Sequence, residues 1–365
     1  MQTFAKSFAI RFIDYYYFTN SIISMNKKRN ITLKALAKKL NLSISTVSRA
    51  LNDHPDISSK TKDSVNTLAK ELHYVPNLFA RGFRSQETHI LGVIVPNISH
   101  MFTSTILKGI LEEAEICGYR VLISESNNSE SKQVEMLNTM IQFGVDGILM
   151  SLARKTERIE DVLEVLTRIP LLLFDKVSSK IPCTQIVINE EEAAFNAIEH
   201  LLELGKQRIA IIKETENSYN SEKRYAGYLK ALNQYGLPIR EKLVLSTEEI
   251  SIANGQRLTN ILLSKKKRPD AIFAITDNAA IGAIKALHKF NVKIPEEIAV
   301  VGFSNSINST IVQPSLTTVD QPGELIGRTA VRYLIEEMQN PRDEVMTKTV
   351  EIKTSLIIRD STMMA

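Results

Sequence analysis

Between Thr32 and Asn52 the chain contains two short amphipathic helices with almost no room between them, and few folds accept that pattern. Leu33, Leu36, Ala37 and Leu40 fall at i, i+3, i+4 and i+7, one apolar face of a helix, and Thr32 ahead of them is a good N-cap. Asn41-Leu42 breaks the pattern. Ser43 can cap a second helix whose Ile44, Val47, Ala50 and Leu51 are apolar, which leaves Ser45, Thr46, Ser48 and Arg49 as short hydrogen-bonding groups and one long cation. Two helices this short and this close predict a helix-turn-helix unit, whose second helix can enter a DNA major groove.

Two such helices cannot bury a core alone. A third is predicted in ISSKTKDSVNTLAKELHY, with Ser58 or Ser59 as cap and Val65, Leu68, Ala69 and Leu72 on one face. Residues 27–84 hold 12 Lys/Arg against 4 Asp/Glu, whereas the whole chain has a net charge of only +4. The positive charge is therefore local, and it coincides with the helical pattern, which favours a polyanionic partner over a merely solvated basic surface.

The first 26 residues fit nothing that follows. Arg11 and Asp14 interrupt their apolar and aromatic residues, so no run approaches the roughly 20 needed to span a bilayer. No small-residue cleavage pattern follows an apolar core either, which argues against a secretory signal. Residues 1–26 are expected to be a disordered extension or the product of a start codon upstream of Met25, and no membrane partner is expected. Two cysteines, Cys117 and Cys183, provide neither a disulfide framework nor a metal cluster, and suit a reducing cytoplasm.

From His89 onward continuous apolar runs alternate with amphipathic helices. ILGVIVP, YRVLISES, DGILMSL, PLLLF, RIAIIKE, AIFAI and IAVVGF read as buried strands between helical segments such as TSTILKGILEEAEICG and AAFNAIEHLLELG. Such strands predict parallel sheets covered on both faces, and about 275 residues of them exceed one ordinary core, so two α/β lobes are expected. Ligands of open α/β sheets bind beyond the carboxyl ends of strands, where Asp175, Arg224 and Asp277 lie. Asp277 is expected to cap the helix NAAIGAIKAL.

TLKALAKKLNLSISTVSRALN, then HYVPNLFARGFRS and HILGVIVPNIS, resemble the lactose- and galactose-repressor family of bacterial transcriptional regulators. QFGVDGILM, HLLELGKQRIAII, PDAIFAITDNAAIGAIKAL, IPEEIAVVGFSN and PSLTTVDQP extend the resemblance in order over about residues 30–360. It implies a helix-turn-helix domain over 27–75, a hinge helix over 76–88 and a two-lobed domain over 89–365 like periplasmic sugar-binding proteins. The first lobe would comprise about 89–188 plus 319–338, the second about 189–318 plus 339–365.

The resemblance also implies roles. Double-stranded DNA would be bound by a homodimer at a palindromic operator. Thr32 would lie at the DNA, Ser43, Thr46, Ser48 and Asn52 would meet phosphates, and Ile44, Ser45 and Arg49 would face base edges. In the hinge, Asn77 and Ala80 would accompany Phe83, placed to wedge into the minor groove; Gly82 beside it weakens a helix by about 1 kcal/mol, and a plain flexible linker is the alternative. Phe102, Ser151, Asp175, Arg224, Thr276 and Ser304 match positions that hold a small-molecule effector. One departure is chemical: the family usually has an aspartate where GFSNS places Ser304, and a hydroxyl cannot give the bidentate acceptance of a carboxylate. An effector such as a sugar or sugar phosphate is expected, with control by a partner protein as the alternative.

No GxGxxG, Walker loop, HExxH or CxxC occurs, and none of the six histidines sits in a nucleophile-base pattern, so neither an enzyme nor a cofactor is expected. The carboxylates Glu190, Glu191 and Glu192 read as the negative first turn of a helix. A solute-binding protein of a transport system is the second class, but it would have no use for residues 29–84.

Overall fold

The computed structural model describes residues 31–74, 87–215, 218–340 and 347–363. Two units are distinguished, one ending at Glu87 and one comprising Thr88–Ala365. The expected extension, and the hinge residues Asn77, Ala80 and Phe83, lie outside the described residues.

In the first unit α1 is Leu33–Leu40, α2 is Ile44–Leu51 and α3 is Ser59–Glu71. Thr32, Ser43 and Ser58 cap them, each side chain accepting a hydrogen bond from the backbone N–H three residues on. Asn41 ends α1 in the left-handed region at φ 54°, which asparagine tolerates well, and Leu42 N–H closes the turn on Ala37 O at 3.0 Å. Leu36, Ala37, Val47, Ala50, Val65 and Ala69 form the buried centre, with Leu33, Leu40, Leu51, Leu68 and Leu72 packed partly buried around it. Ile44 departs from the expected apolar face: it is 44% exposed. In the first turn of the helix it sits at the margin of the buried stripe, one turn before the half-buried Ser48.

The second unit contains two six-stranded sheets. The first holds β1 (Ile90–Val95), β2 (Arg120–Glu125), β3 (Gly147–Met150), β4 (Leu171–Phe174) and β5 (Gln185–Ile188), interleaved with α4 (Met101–Ile116), α5 (Glu130–Gln142) and α6 (Ile159–Arg168). After α7 (Glu190–Glu203) the second holds β6 (Ile209–Glu214), β7 (Val244–Thr247), β8 (Ala271–Ala274), β9 (Ala299–Ser304) and β10 (Thr317–Asp320). Between these run α8 (Tyr219–Gln234), α9 (Ile252–Leu263), α10 (Asp277–Lys289) and the short α11 (Asn308–Ile311). Both sheets share one order, β2-β1-β3-β4-β5 and β7-β6-β8-β9-β10, with parallel pairing throughout these ten strands. That is a doubly wound order, in which the strand direction of travel reverses beside the first strand and opens a crevice there.

The chain crosses between lobes three times. α12 (Gly323–Gln339) returns to pack on α4, β11 (Thr349–Ile352) pairs parallel with β5, and β12 (Ser355–Ile357) pairs antiparallel with β10. The expected lobe boundaries shift accordingly. Residues 319 and 320 belong to the second sheet because β10 pairs with β9, and 349–352 belong to the first because β11 pairs with β5 and covers its edge. Gly109 and Gly327 permit α4 and α12 to touch: a Cβ on either would lie about 2 Å from a backbone oxygen of the other helix.

Among the described residues no helix is long and apolar enough to cross a membrane.

Candidate nucleic-acid interface and interlobe cleft

The outward face of α2 follows from its inward one. With Val47 and Ala50 buried, the stripe Ser45, Arg49 and Asn52 points to solvent, flanked by Ile44. Ser43 Oγ does more than cap: besides accepting from Thr46 N–H at 3.0 Å, it bonds Ser45 Oγ at 2.7 Å and Thr46 Oγ1 at 2.8 Å. The three hydroxyls therefore form a pre-set cluster at the helix start, where the backbone N–H groups and dipole favour an anion. Asn52 folds back, its Nδ2 donating to Ser48 O at 2.9 Å. Arg49 remains extended, 57% exposed, with Asp56 no nearer than 3.9 Å. Thr32 is exposed at the start of α1.

In the second unit the strand ends bring polar groups of both lobes together. Asp175, just past β4, adopts φ 60°. Its carboxylate accepts from Ser151 Oγ at 3.4 Å and from Asn220 Nδ2 of the second lobe at 2.7 Å. Arg154 also crosses, pairing with Glu214 at the end of β6 at 2.8 Å and donating to Glu248 O. Between these bridges is a cavity of about 350 Å³, lined by residues 152–157 and 176–178 of the first lobe and by Ser218, Tyr219 and Glu222 of the second. Of the lining residues Arg154 has a side-chain atom, Nε, buried without a hydrogen-bond partner, as is Oδ1 of Asn220, the residue after Tyr219.

Arg224 lies deeper than the sequence suggested. It is 4% exposed and gives Nε and Nη2 to Glu190, at 2.6 and 3.0 Å, and Nη1 to Ile275 O at 2.6 Å, while Gln321 Oε1 is 3.4 Å from Nη2. Its guanidinium also lies over the Phe303 ring, 3.6 Å from the centroid. Glu190 begins the first interlobe crossover and Gln321 lies in the second. The first and third are tied by Asn189 Oδ1, which accepts from Thr354 N–H at 3.0 Å and Oγ1 at 2.9 Å. The position expected to clasp a ligand thus fastens the segments that cross between the lobes. Burial drives the Glu190 carboxyl above its usual range, opposed by the charge and hydrogen bonds of Arg224.

The remaining expected contacts separate. Ser304 ends β9 at φ 127° and accepts from Gln321 Nε2 at 2.8 Å, joining the Arg224 network. Ser151 is buried and occupied with Asp175 and Lys176 N–H. Thr276, rather than Asp277, caps α10, its Oγ1 accepting from Ala279 N–H at 3.4 Å. Asp277 is 2% exposed and accepts from Ser306 N–H and Thr318 Oγ1, so it anchors the turn after β9; burial is the main reason its carboxyl is raised. Phe102 belongs to α4 rather than to the preceding loop, and is buried in the first lobe's core. Arg154, Asn220, Tyr219 and Lys176 carried no family signal in the sequence. Only their placement just past strands or at a helix start could have suggested them.

A capped helix-turn-helix with an open polar face, preceding two doubly wound lobes that share a cleft, defines a DNA-binding regulator with a binding-protein-like body. Residues 32–77 match the family model described as bacterial regulatory proteins, lacI family, and residues 198–362 that of the periplasmic binding protein-like domain. The NTD biosynthesis operon regulator NtdR of Bacillus subtilis (strain 168) is 34% identical over 332 residues, 91% of this chain and 99% of the relative. Catabolite control protein A of Priestia megaterium is 32% identical over 334 residues, again 91% and 99%. The lac repressor dimer bound to operator and the anti-inducer ONPF superposes with TM-score 0.83 at 25% identity, covering 92% of this chain and all of that one. The chain belongs to the lacI family of bacterial regulatory proteins, and it is a DNA-binding transcriptional regulator.

Proposed function

We propose that this regulator acts as a repressor, binding palindromic operators as a homodimer under the control of a small polyhydroxylated ligand, a sugar or sugar phosphate, held in the interlobe cleft. The observation that carries the ligand reading is the buried, unpartnered Arg154 Nε in the lining of the 350 Å³ cavity. Arg154 Nε is a donor that a ligand hydroxyl can answer, and a buried polar group left unanswered costs stability. Lys155 and Lys176 on the same wall suit a phosphate substituent. The cleft lies between two bridges, so a ligand that breaks or strengthens Arg154–Glu214 and Asp175–Asn220 has different affinities for open and closed lobes, which control requires.

On the DNA side, Ser45, Arg49 and Asn52 would reach base edges and phosphates, with the Ser43 cluster on the backbone. Two copies would supply the two-fold readout and the affinity that one three-helix unit lacks. A selection of binding sites from random duplex DNA should return an inverted repeat. Calorimetry against a panel of sugars and sugar phosphates should find a ligand whose presence changes operator affinity. An operator affinity indifferent to every ligand that binds would leave the large domain as a dimerisation or partner-binding module.

A further inference from the structure

Before the amino ends of β6, β7 and β8, the opposite end of these strands from the cleft, a second cavity of about 940 Å³ opens. Arg208, Arg240, Lys242, Lys265, Lys266 and Lys267 line it, with one carboxylate, Glu241, and the apolar Ile239 and Leu243. Among the described residues none of these six cations has a carboxylate within 4.0 Å. A run of lysines on a surface is ordinarily just a solvated face, and three observations separate this one from that case. The cations line a concavity at the upper end of the size of ligand pockets, about 300–1,000 Å³. The lysine loop is fastened: Arg208 Nε and Nη2 donate to Arg268 O at 3.0 Å and Lys267 O at 2.9 Å, while Asp270 accepts from the N–H groups of Gln207 and Arg208 at 2.8 Å each. Finally, Arg240 Nε is withdrawn from solvent yet has no hydrogen-bond partner, a state that costs free energy unless something else answers it.

We propose that this cavity binds a small ligand carrying a di- or triphosphate. Six cations facing one carboxylate call for a dense negative charge on few atoms, which a phosphate chain supplies and a single carboxylate does not. The half-exposed Ile239 and the buried Leu243 offer an apolar wall for the organic part of such a ligand. A bounded concavity also suits a compact ligand better than a nucleic-acid duplex, whose phosphates run on past any one pocket. This cavity shares no lining residue with the cleft.

The test uses the full chain, with ATP, inorganic tripolyphosphate and hexaglutamate as probes in calorimetry at low and moderate salt. ATP is expected to bind saturably at one site per chain, more tightly than tripolyphosphate because of the apolar wall, with hexaglutamate at least about tenfold weaker than either. The exposed pair K266E/K267E should weaken both phosphate probes at least about tenfold while leaving the thermal midpoint and operator binding as in wild type. Equal binding of hexaglutamate would overturn the phosphate reading in favour of an acidic-peptide surface. Absence of saturable binding, or binding that survives K266E/K267E, would overturn the site itself.

Discussion

The two polar surfaces of this protein are built on opposite rules. On α2, Ser45 and Arg49 are exposed and bonded only to near neighbours or weakly paired; around the crossovers, Arg224, Glu190, Ser151 and Asp277 are buried and bonded to one another. A surface that reads an external partner must leave its donors available to that partner. The segments that cross between the lobes instead spend their donors on one another. The same residue type, arginine, therefore has opposite meanings at 49 and 224. Removing the first should cost binding and spare the fold, and removing the second should cost the fold first.

The strongest break in that contrast is Arg224→Ala. It strands Glu190 in a site where only the guanidinium offsets desolvation, and breaking one partner of a buried ion pair costs about 3–5 kcal/mol. Urea denaturation should show that loss, and the double variant R224M/E190L should recover a large part of it, because replacing both charges removes the desolvation penalty. A wild-type urea midpoint for R224A would remove the fastening role and return Arg224 to the list of free ligand contacts.

Arg49→Ala should have the next largest effect, on another quantity. Its side chain is 57% exposed, so the thermal midpoint should hardly move, while specific operator binding weakens by about 1–3 kcal/mol, the worth of one good base contact. Gel-shift titration against the selected site and a scrambled one separates the two terms. Equal losses on both sequences would make Arg49 a phosphate contact.

These two arginines also show what could be read in the sequence. The caps at Thr32 and Ser43, the break at Asn41 and the alternation of buried strands with helices were legible because local spacing determines them, whereas the strand order was not. Arg49 was legible too, since a helix with one buried stripe fixes the opposite one. The site around Arg224 was not, because Glu190 and Gln321 lie 34 and 97 residues away in the chain and meet it only through crossovers. Spacing likewise gave no hint that Thr276 rather than Asp277 caps α10: both residue types cap helices well, and the choice depended on Ser306 and Thr318 claiming the aspartate. The return of residues 349–352 to the first sheet is non-local in the same way.

A smaller effect should sharpen the contrast from inside the cleft. Arg154 combines both rules, since it bridges to Glu214 yet keeps Nε unpartnered at the cavity. Arg154→Ala is expected to weaken cleft-ligand binding by about 1–2 kcal/mol through lost hydrogen bonds. R49A should leave the same affinity untouched. Calorimetry with the screened sugar decides it, and equal ligand affinity in R154A and wild type would move the ligand away from this wall.

The smallest expected effect concerns pH and a polar contact that takes part in neither set of interactions. His200 on α7 meets Thr362 Oγ1 through Nε2 at 2.9 Å, and Thr362 in turn bonds Thr317 Oγ1 at 2.7 Å, so the imidazole helps hold the chain's last described turn against the second sheet. Burial lowers the His200 pKa below the ordinary 6.5, with Glu203 pulling the other way. The unfolded chain therefore takes up a proton first as pH falls. Stability conferred by the neutral ring is fully present above pH 6.5 and is lost as pH drops through the folded value. His200→Gln keeps a side-chain amide for Thr362 but cannot titrate. Its stability measured in urea should lie slightly below wild type at pH 7.5, and the gap should narrow or close by about pH 5, where the wild-type histidine has lost its advantage. A gap that stays constant across that range would mean that the His200 contribution is packing alone, with no proton linkage.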